Sequence, residues 1–279
     1  MTLPTPTLPD LTAPRAQVLL AIADDALISG HRSSHWTGVA PSLEEDLAFS
    51  TIAQDGINHA DLWFQVLLGN AGDSSGHDAR ARVDALGLGR DPADYRHAVL
   101  CEREPRDFAF TLARHWAYEH LDALRLDALT GSSDPDIAAV AERLRHEARY
   151  HLEHADHWFA RLSATAGTSA DDDAHRRFGE ALAVVLPEAL GLFEPVDGED
   201  DAVTSGLFPR GHVALREPWL AVIGPRLREV GYDALVPSAQ DRVPDAAAGG
   251  RRGRHTPDFT EDVWPEMTTL YRAHPGARW

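Results

Sequence analysis

Val140-Ala141-Glu142-Arg143-Leu144-Arg145-His146-Glu147-Ala148-Arg149-Tyr150-His151-Leu152-Glu153-His154-Ala155-Asp156-His157-Trp158 is the stretch on which the fold turns. Val140, Leu144, Glu147, His151, His154 and Trp158 recur at alternating steps of four and three, the spacing that lines up one helical face. No glycine or proline interrupts the run. Asp134-Pro135 ahead of it offers a cap followed by a proline in the first turn. The face is apolar at its ends and acidic and basic in its middle. Such a helix is expected to carry a carboxylate toward a core, which is costly unless that carboxylate is paired, protonated or metal-bound.

Three more segments repeat the pattern. Ala48, Ile52, Asp55, His59, Leu62 and Val66 share a face in a helix that Ser42 caps and Gly69 stops. Phe108, Leu112, Trp116, Glu119, Ala123 and Leu126 share another, after Pro105 and up to about Leu129. Ala16, Leu20, Asp24 and Leu27 share a third, in a helix expected over residues 13–29, with Asp25 on an acceptable neighbouring face. Further helices are expected at 77–86, 169–192, 216–230 and 260–273, the last capped by Thr260. Residues 194–208 and 236–254 read as a surface loop and an irregular segment. No alternating apolar run flanks either Asp-Gly pair, so hairpins are not expected.

Four helices with inward acids predict an all-α, ferritin-like four-helix bundle with additional helices and a C-terminal extension. A working di-iron bundle places Glu on two helices and Glu-x-x-His on the other two. Asp24, Asp55, Glu119 and Glu147 fall in that order. The histidines do not: Asn58 and Tyr150 stand three residues after Asp55 and Glu147, and His59 and His151 come one residue later. One residue turns a helical side chain by about 100°. Asp24, Asp55, His59, Glu119, Glu147 and His151 are therefore read as a degenerate metal site, its acids neutralised by histidines, arginines and hydrogen bonds. No catalytic or cofactor-binding residue is assigned. The pair His146-Glu147 lacks the second histidine of a zinc-protease helix, because Tyr150 occupies its place. Walker, Rossmann and nucleophile-elbow glycine patterns are missing.

The chain has 279 residues, with 44 acids against 26 bases and a net charge of −18. Every base is arginine. That charge opposes binding to nucleic acid or to an anionic membrane. The single cysteine, Cys101, allows neither an internal disulfide nor a thiolate zinc cage. The longest apolar stretch, 181–193, is broken by Pro187 and Glu188 and is too short to span a bilayer. Residues 1–14 lack the charged start and apolar core of a secretory signal. A cytoplasmic protein is expected, with residues 1–12 as a disordered extension and 13–279 as a single domain.

Three stretches in order carry a family resemblance. They are Trp36-Thr37-Gly38-Val39-Ala40-Pro41-Ser42-Leu43-Glu44-Glu45-Asp46-Leu47-Ala48; then Glu147-Ala148-Arg149-Tyr150-His151-Leu152; then a tail comprising Gly249-Gly250-Arg251-Arg252-Gly253-Arg254-His255-Thr256, Pro265-Glu266-Met267 and Pro275-Gly276-Ala277-Arg278-Trp279. Together they resemble the PaaC family, the structural C components of the bacterial phenylacetyl-CoA epoxidases, from about Leu20 to the end, more loosely between Glu194 and Ala248. The resemblance implies a ferritin-like subunit of a complex that makes the ring-1,2-epoxide of phenylacetyl-CoA with molecular oxygen and NADPH-derived electrons. It implies that the di-iron centre and the substrate site belong to a homologous catalytic component, PaaA, with which this chain pairs as a non-catalytic structural partner. It also implies that the C-terminal tail is ordered and serves assembly. From the residues alone, a self-sufficient di-iron oxygenase and an iron-binding bundle remain open alternatives.

Overall fold

The computed structural model describes residues 8–69, 77–164, 169–274 and 277. Helices α1 (Pro14–Ser34) and α2 (Leu43–Leu67) form one hairpin, and α5 (Phe108–Leu129) and α6 (Pro135–Leu162) another. The short α3 (His77–Leu88) and α4 (Val99–Glu102) lie between them in sequence. α7 (Ser169–Ala189), α8 (Glu199–Thr204) and α9 (Gly211–Glu229) follow, and α10 (Trp264–Ala273) closes the chain after a π-helical turn, Asp258–Val263. Among the described residues there is no strand. The architecture is an all-α, ferritin-like bundle with added helices, as the periodicity predicts. Among the described residues no helix is long and apolar enough to cross a membrane.

The hairpins begin where local chemistry sets them. The Ser42 hydroxyl accepts from the Glu45 amide, Asp107 from the Phe110 amide, and Asp134 from the amides of Asp136 and Ile137. α2 meets both α1 and α6, and α5 meets α6, α7 and α9. Every residue from Ala16 to Ile28 is buried, so α1 is enclosed all round, as an apolar helix must be. Gly30 and Gly56 explain how closely α2 approaches it. A Cβ on Gly56 would stand 3.0 Å from the Ala26 carbonyl oxygen, and one on Gly30 would stand 3.0 Å from that of Ala53.

Four expectations need correction. The buried face of α6 is Ile137, Ala141, Leu144, Ala148, His151, Ala155 and Phe159, not the stripe through Val140, Glu147 and Trp158. The alanines let α6 lie close to its neighbours, and the face turns so that Glu147 moves to its edge. Residues 194–208 are not a plain surface loop. They contain α8, and Glu199 is buried there with His212 Nδ1 at 2.6 Å and the His212 amide donating at 2.7 Å. Thr260 does not cap the last helix. The π-helical turn starts two residues earlier, and Thr260 Oγ1 donates back to the Thr256 carbonyl. The expected disorder does not extend to residues 8–12: Leu8 and Leu11 pack on the core, and the Leu11 carbonyl accepts from Gln17. Residues 1–7 lie outside the described residues, as do 275–276 and 278–279 of the tail.

The rest of the tail is woven into the bundle. Gly249 has a φ of +94°, in the left-handed region. A Cβ on Gly250 would come within 2.4 Å of the His97 carbonyl oxygen. Gly250 and Gly253 press the backbone onto residues 93–99, and Arg251 between them points inward. Its guanidinium grips Asp25 with two bonds of 2.8 Å and donates to the carbonyls of Ala21, Arg96 and Leu192. Arg251 and Asp25 are both fully buried.

Candidate functional site

The middle of the bundle brings five of the six predicted site residues together. α2 supplies Asp55 and His59, α5 supplies Glu119, and α6 supplies Glu147 and His151. They are joined crosswise. His151 Nε2 lies 3.0 Å from Asp55 Oδ2, and His59 Nε2 lies 3.2 Å from Glu147 Oε2. The two imidazoles stack with centroids 5.9 Å apart. Each histidine thus serves the acid of the opposite helix, a consequence of their standing four residues after Asp55 and Glu147. Glu119 is buried, with His115 Nδ1 at 3.4 Å and His151 Nδ1 at 4.0 Å. Burial pushes its carboxyl up. The hydrogen bond from His115 and the neighbouring imidazoles outweigh that and hold it below the usual glutamate range.

Asp24, the sixth residue, is elsewhere. The Arg90 guanidinium forks onto it, with Nη1 to Oδ2 at 2.9 Å, and the Arg96 amide donates to it at 2.8 Å. Asp25, its neighbour, is held by Arg125 at 2.7 Å as well as by Arg251. Burial raises the Asp25 carboxyl, but the two guanidinium groups keep it ionised well below the usual range. Both carboxylates of α1 are therefore spent on arginines. A buried arginine from residues far along the chain has no local signature, which is why periodicity alone could not place Asp24.

Sequence reasoning also missed two histidines. His115 and His154 approach to 3.4 Å, and His154 Nε2 lies 3.0 Å from Glu45 Oε2. A continuous file, Glu45–His154–His115–Glu119, then runs through the interior. Burial, then the neighbouring His115 imidazole, keep His154 below the ordinary histidine range. The signal was present: His115 stands four residues before Glu119. A cavity of about 40 Å³ adjoins the file, lined by Phe49, His59, Arg114, His115, Glu119 and His151 among others. At about 10–15 Å³ per water it holds roughly three. Small-molecule sites run to about 300–1,000 Å³.

These residues do not fit a di-iron centre. Asn58 and Tyr150 occupy the positions of its histidines and point into solvent. The Nε2 atoms of His59 and His151 are engaged with carboxylates, and the acid of the first helix is bound to Arg90. Asp55 and Glu147 are also part-exposed, at 33% and 40% of their side-chain surface. What the arrangement does chemically is tie three helices together through histidine–carboxylate contacts.

A protein-family model described as "Phenylacetic acid catabolic protein" matches residues 5–279. The chain is 27% identical over 260 residues to an Escherichia coli (strain K12) protein, the C component of the 1,2-phenylacetyl-CoA epoxidase of that organism. The match covers 93% of this chain and 97% of that protein.

Proposed function

The chain belongs to the phenylacetic acid catabolic protein family, and on that premise we propose that it is the non-catalytic C component of a phenylacetyl-CoA epoxidase. It pairs in the cytoplasm with a homologous subunit that carries the di-iron centre and the substrate site. One observation carries this reading. The residues at the positions of a di-iron site are tied to one another and to arginines, around a space for about three waters. The near full-length likeness to the C component of the Escherichia coli epoxidase supports the same assignment.

The surface supports a partner. Val39, Leu43 and Leu47 are 68%, 72% and 61% exposed. They follow one another up to and along the start of α2, and Ile57 and Tyr150 add exposed apolar surface on α2 and α6. Val39, Leu43 and Leu47 at the start of α2 are the apolar side chains on which this reading places a partner. The α2–α6 face is the surface offered to the catalytic subunit.

The test is co-expression with a candidate catalytic subunit, followed by size exclusion, iron quantitation and turnover. A stable complex is expected, with iron accompanying the partner. Glu147→Ala in this chain should leave turnover of the assembled complex intact. Stoichiometric iron in the isolated chain, or loss of all turnover in a Glu147→Ala complex that folds and assembles normally, overturns the proposal.

A further inference from the structure

Among the described residues, two trios of histidine and carboxylate bring their donor atoms within 4.8 Å of one another, and neither belongs to the central site. Their spacings separate them. In the buried trio, Glu102 Oε2 receives His97 Nε2 at 2.7 Å and His255 Nδ1 at 2.8 Å, while Glu102 Oε1 accepts from the Thr256 amide and hydroxyl at 2.6 Å. Those are charge-assisted hydrogen-bond lengths, about 2.7–2.9 Å for nitrogen donors. All three residues are sealed from solvent. This trio is a hydrogen-bonded clasp with no room for an ion.

The second trio lies at the surface, where the end of α1 meets α10. His31 and His35 are one helical turn apart, and their Nε2 atoms converge on a single oxygen, Glu266 Oε2, at 3.3 and 3.1 Å. Zinc takes nitrogen at about 2.0–2.1 Å and carboxylate oxygen at about 2.0–2.2 Å in a tetrahedron, so its ligand atoms stand about 3.3 Å apart. The two nitrogen–oxygen separations are close to that edge, and all three donor atoms lie within 4.8 Å of one another. The side chains are 17%, 25% and 55% exposed, which admits an ion and leaves its fourth position to water.

We propose that His31, His35 and Glu266 form a zinc site that pins the C-terminal helix to the end of α1. Imidazole and carboxylate suit a borderline divalent transition ion rather than calcium or magnesium. The carbonyl end of α1 adds a favourable potential for a cation. The nearby Arg32 is the opposing charge, and it is occupied by Asp262 and by the carbonyls of Glu102 and Asp258.

The test uses the tag-free full chain and zinc alone, titrated in competition with a chromophoric chelator. One equivalent should bind, and its binding should raise the thermal midpoint. His35→Ala and Glu266→Gln each remove a ligand and should weaken that equivalent at least as much as the ~10–100-fold typical of losing an outer-shell partner. His146→Ala is the control, because His146 makes an exposed contact with Glu142 at 3.5 Å that resembles an adventitious site. It should leave the equivalent unchanged. Circular dichroism checks that each variant is folded, and His31→Gln repeats the test should one of them fail. Zinc that fails to bind, or that binds equally to the wild type and to the folded ligand variants, overturns the proposal.

Discussion

Replacing Arg251 by alanine tests whether the glycine–arginine run of the tail is part of the core. The guanidinium supplies one of the two cations on Asp25, and both partners are fully buried. Its removal leaves the carboxylate with Arg125 and the Ala98 amide, and leaves the carbonyls of Arg96 and Leu192 without this donor. Breaking a buried pair from one side costs about 3–5 kcal/mol, against a total stability of about 5–15 kcal/mol for a typical protein. At about 2–4 °C per kcal/mol the thermal midpoint should fall by about 6–20 °C. Urea unfolding followed by tryptophan fluorescence reads the free energy directly. Arg252, the next residue, is the internal control. It is 56% exposed and stands 3.9 Å from an exposed Asp197. Arg252→Ala should therefore stay within about 0.5 kcal/mol of the wild type. Arg251→Lys keeps the charge but loses the planar fork and should fall in between. A loss below about 1 kcal/mol for Arg251→Ala, the range of an exposed ion pair, refutes the reasoning.

Three further outcomes follow from the same contacts. Burial, reinforced by His255, pushes His97 down to about 4, so between pH 6.5 and 4 the unfolded chain takes up a proton that the folded one refuses. Stability should drop by about 3 kcal/mol across that window as pH falls, and His97→Gln should flatten the curve of unfolding free energy against pH. Gly56→Ala should destabilise by about 1–3 kcal/mol through overpacking against α1, although alanine is the better helix former by about 1 kcal/mol; a measured gain in stability removes the close-crossing explanation. Leu47→Glu should leave the thermal midpoint of the chain within about 2 °C while weakening co-elution with the catalytic subunit, and undiminished co-elution places the interface elsewhere.

How far the sequence could be read depended on the kind of signal each residue gives. The hairpin helices were legible because caps and periodicity act within a few residues: Ser42 and Asp134 cap α2 and α6. The face of α6 was misread by one position because alanine contributes little to an apolar pattern. Ala141, Ala148 and Ala155 are buried by close approach, whereas the large Trp158 sits at the margin. Asp24 could not be assigned because α1 is enclosed on every side, and a helix without an outer face has no pattern to read. Five of six site residues still converged, since Asp55, His59, Glu119, Glu147 and His151 lie on helices whose packed sides were broadly right. The partners that decide the charge balance were invisible. Arg90 lies 66 residues from Asp24, and Arg251 lies 226 from Asp25. Only the glycines around Arg251 hinted that the backbone there needed room to come close.

Those distant partners show what the tail does. Asp25 of α1 and Glu102 of α4 are buried where the tail adds to the partners that the bundle supplies. Asp25 receives Arg251 from the tail and Glu102 receives His255 and Thr256, while Arg32 at the end of α1 reaches Asp262. A bundle without residues 249–262 would hold Asp25 with one cation and Glu102 with one imidazole. It would also expose Ala21 and its neighbours on a helix that has no polar face. The segment is thus the fourth side of α1 rather than an appendage to a finished domain. Deleting it removes structural charge and covering surface together, so failure of a truncated chain to bind a partner would report on the fold as much as on the interface. Two single substitutions separate the two: Arg251, whose contacts are internal, and Leu47, whose side chain faces solvent.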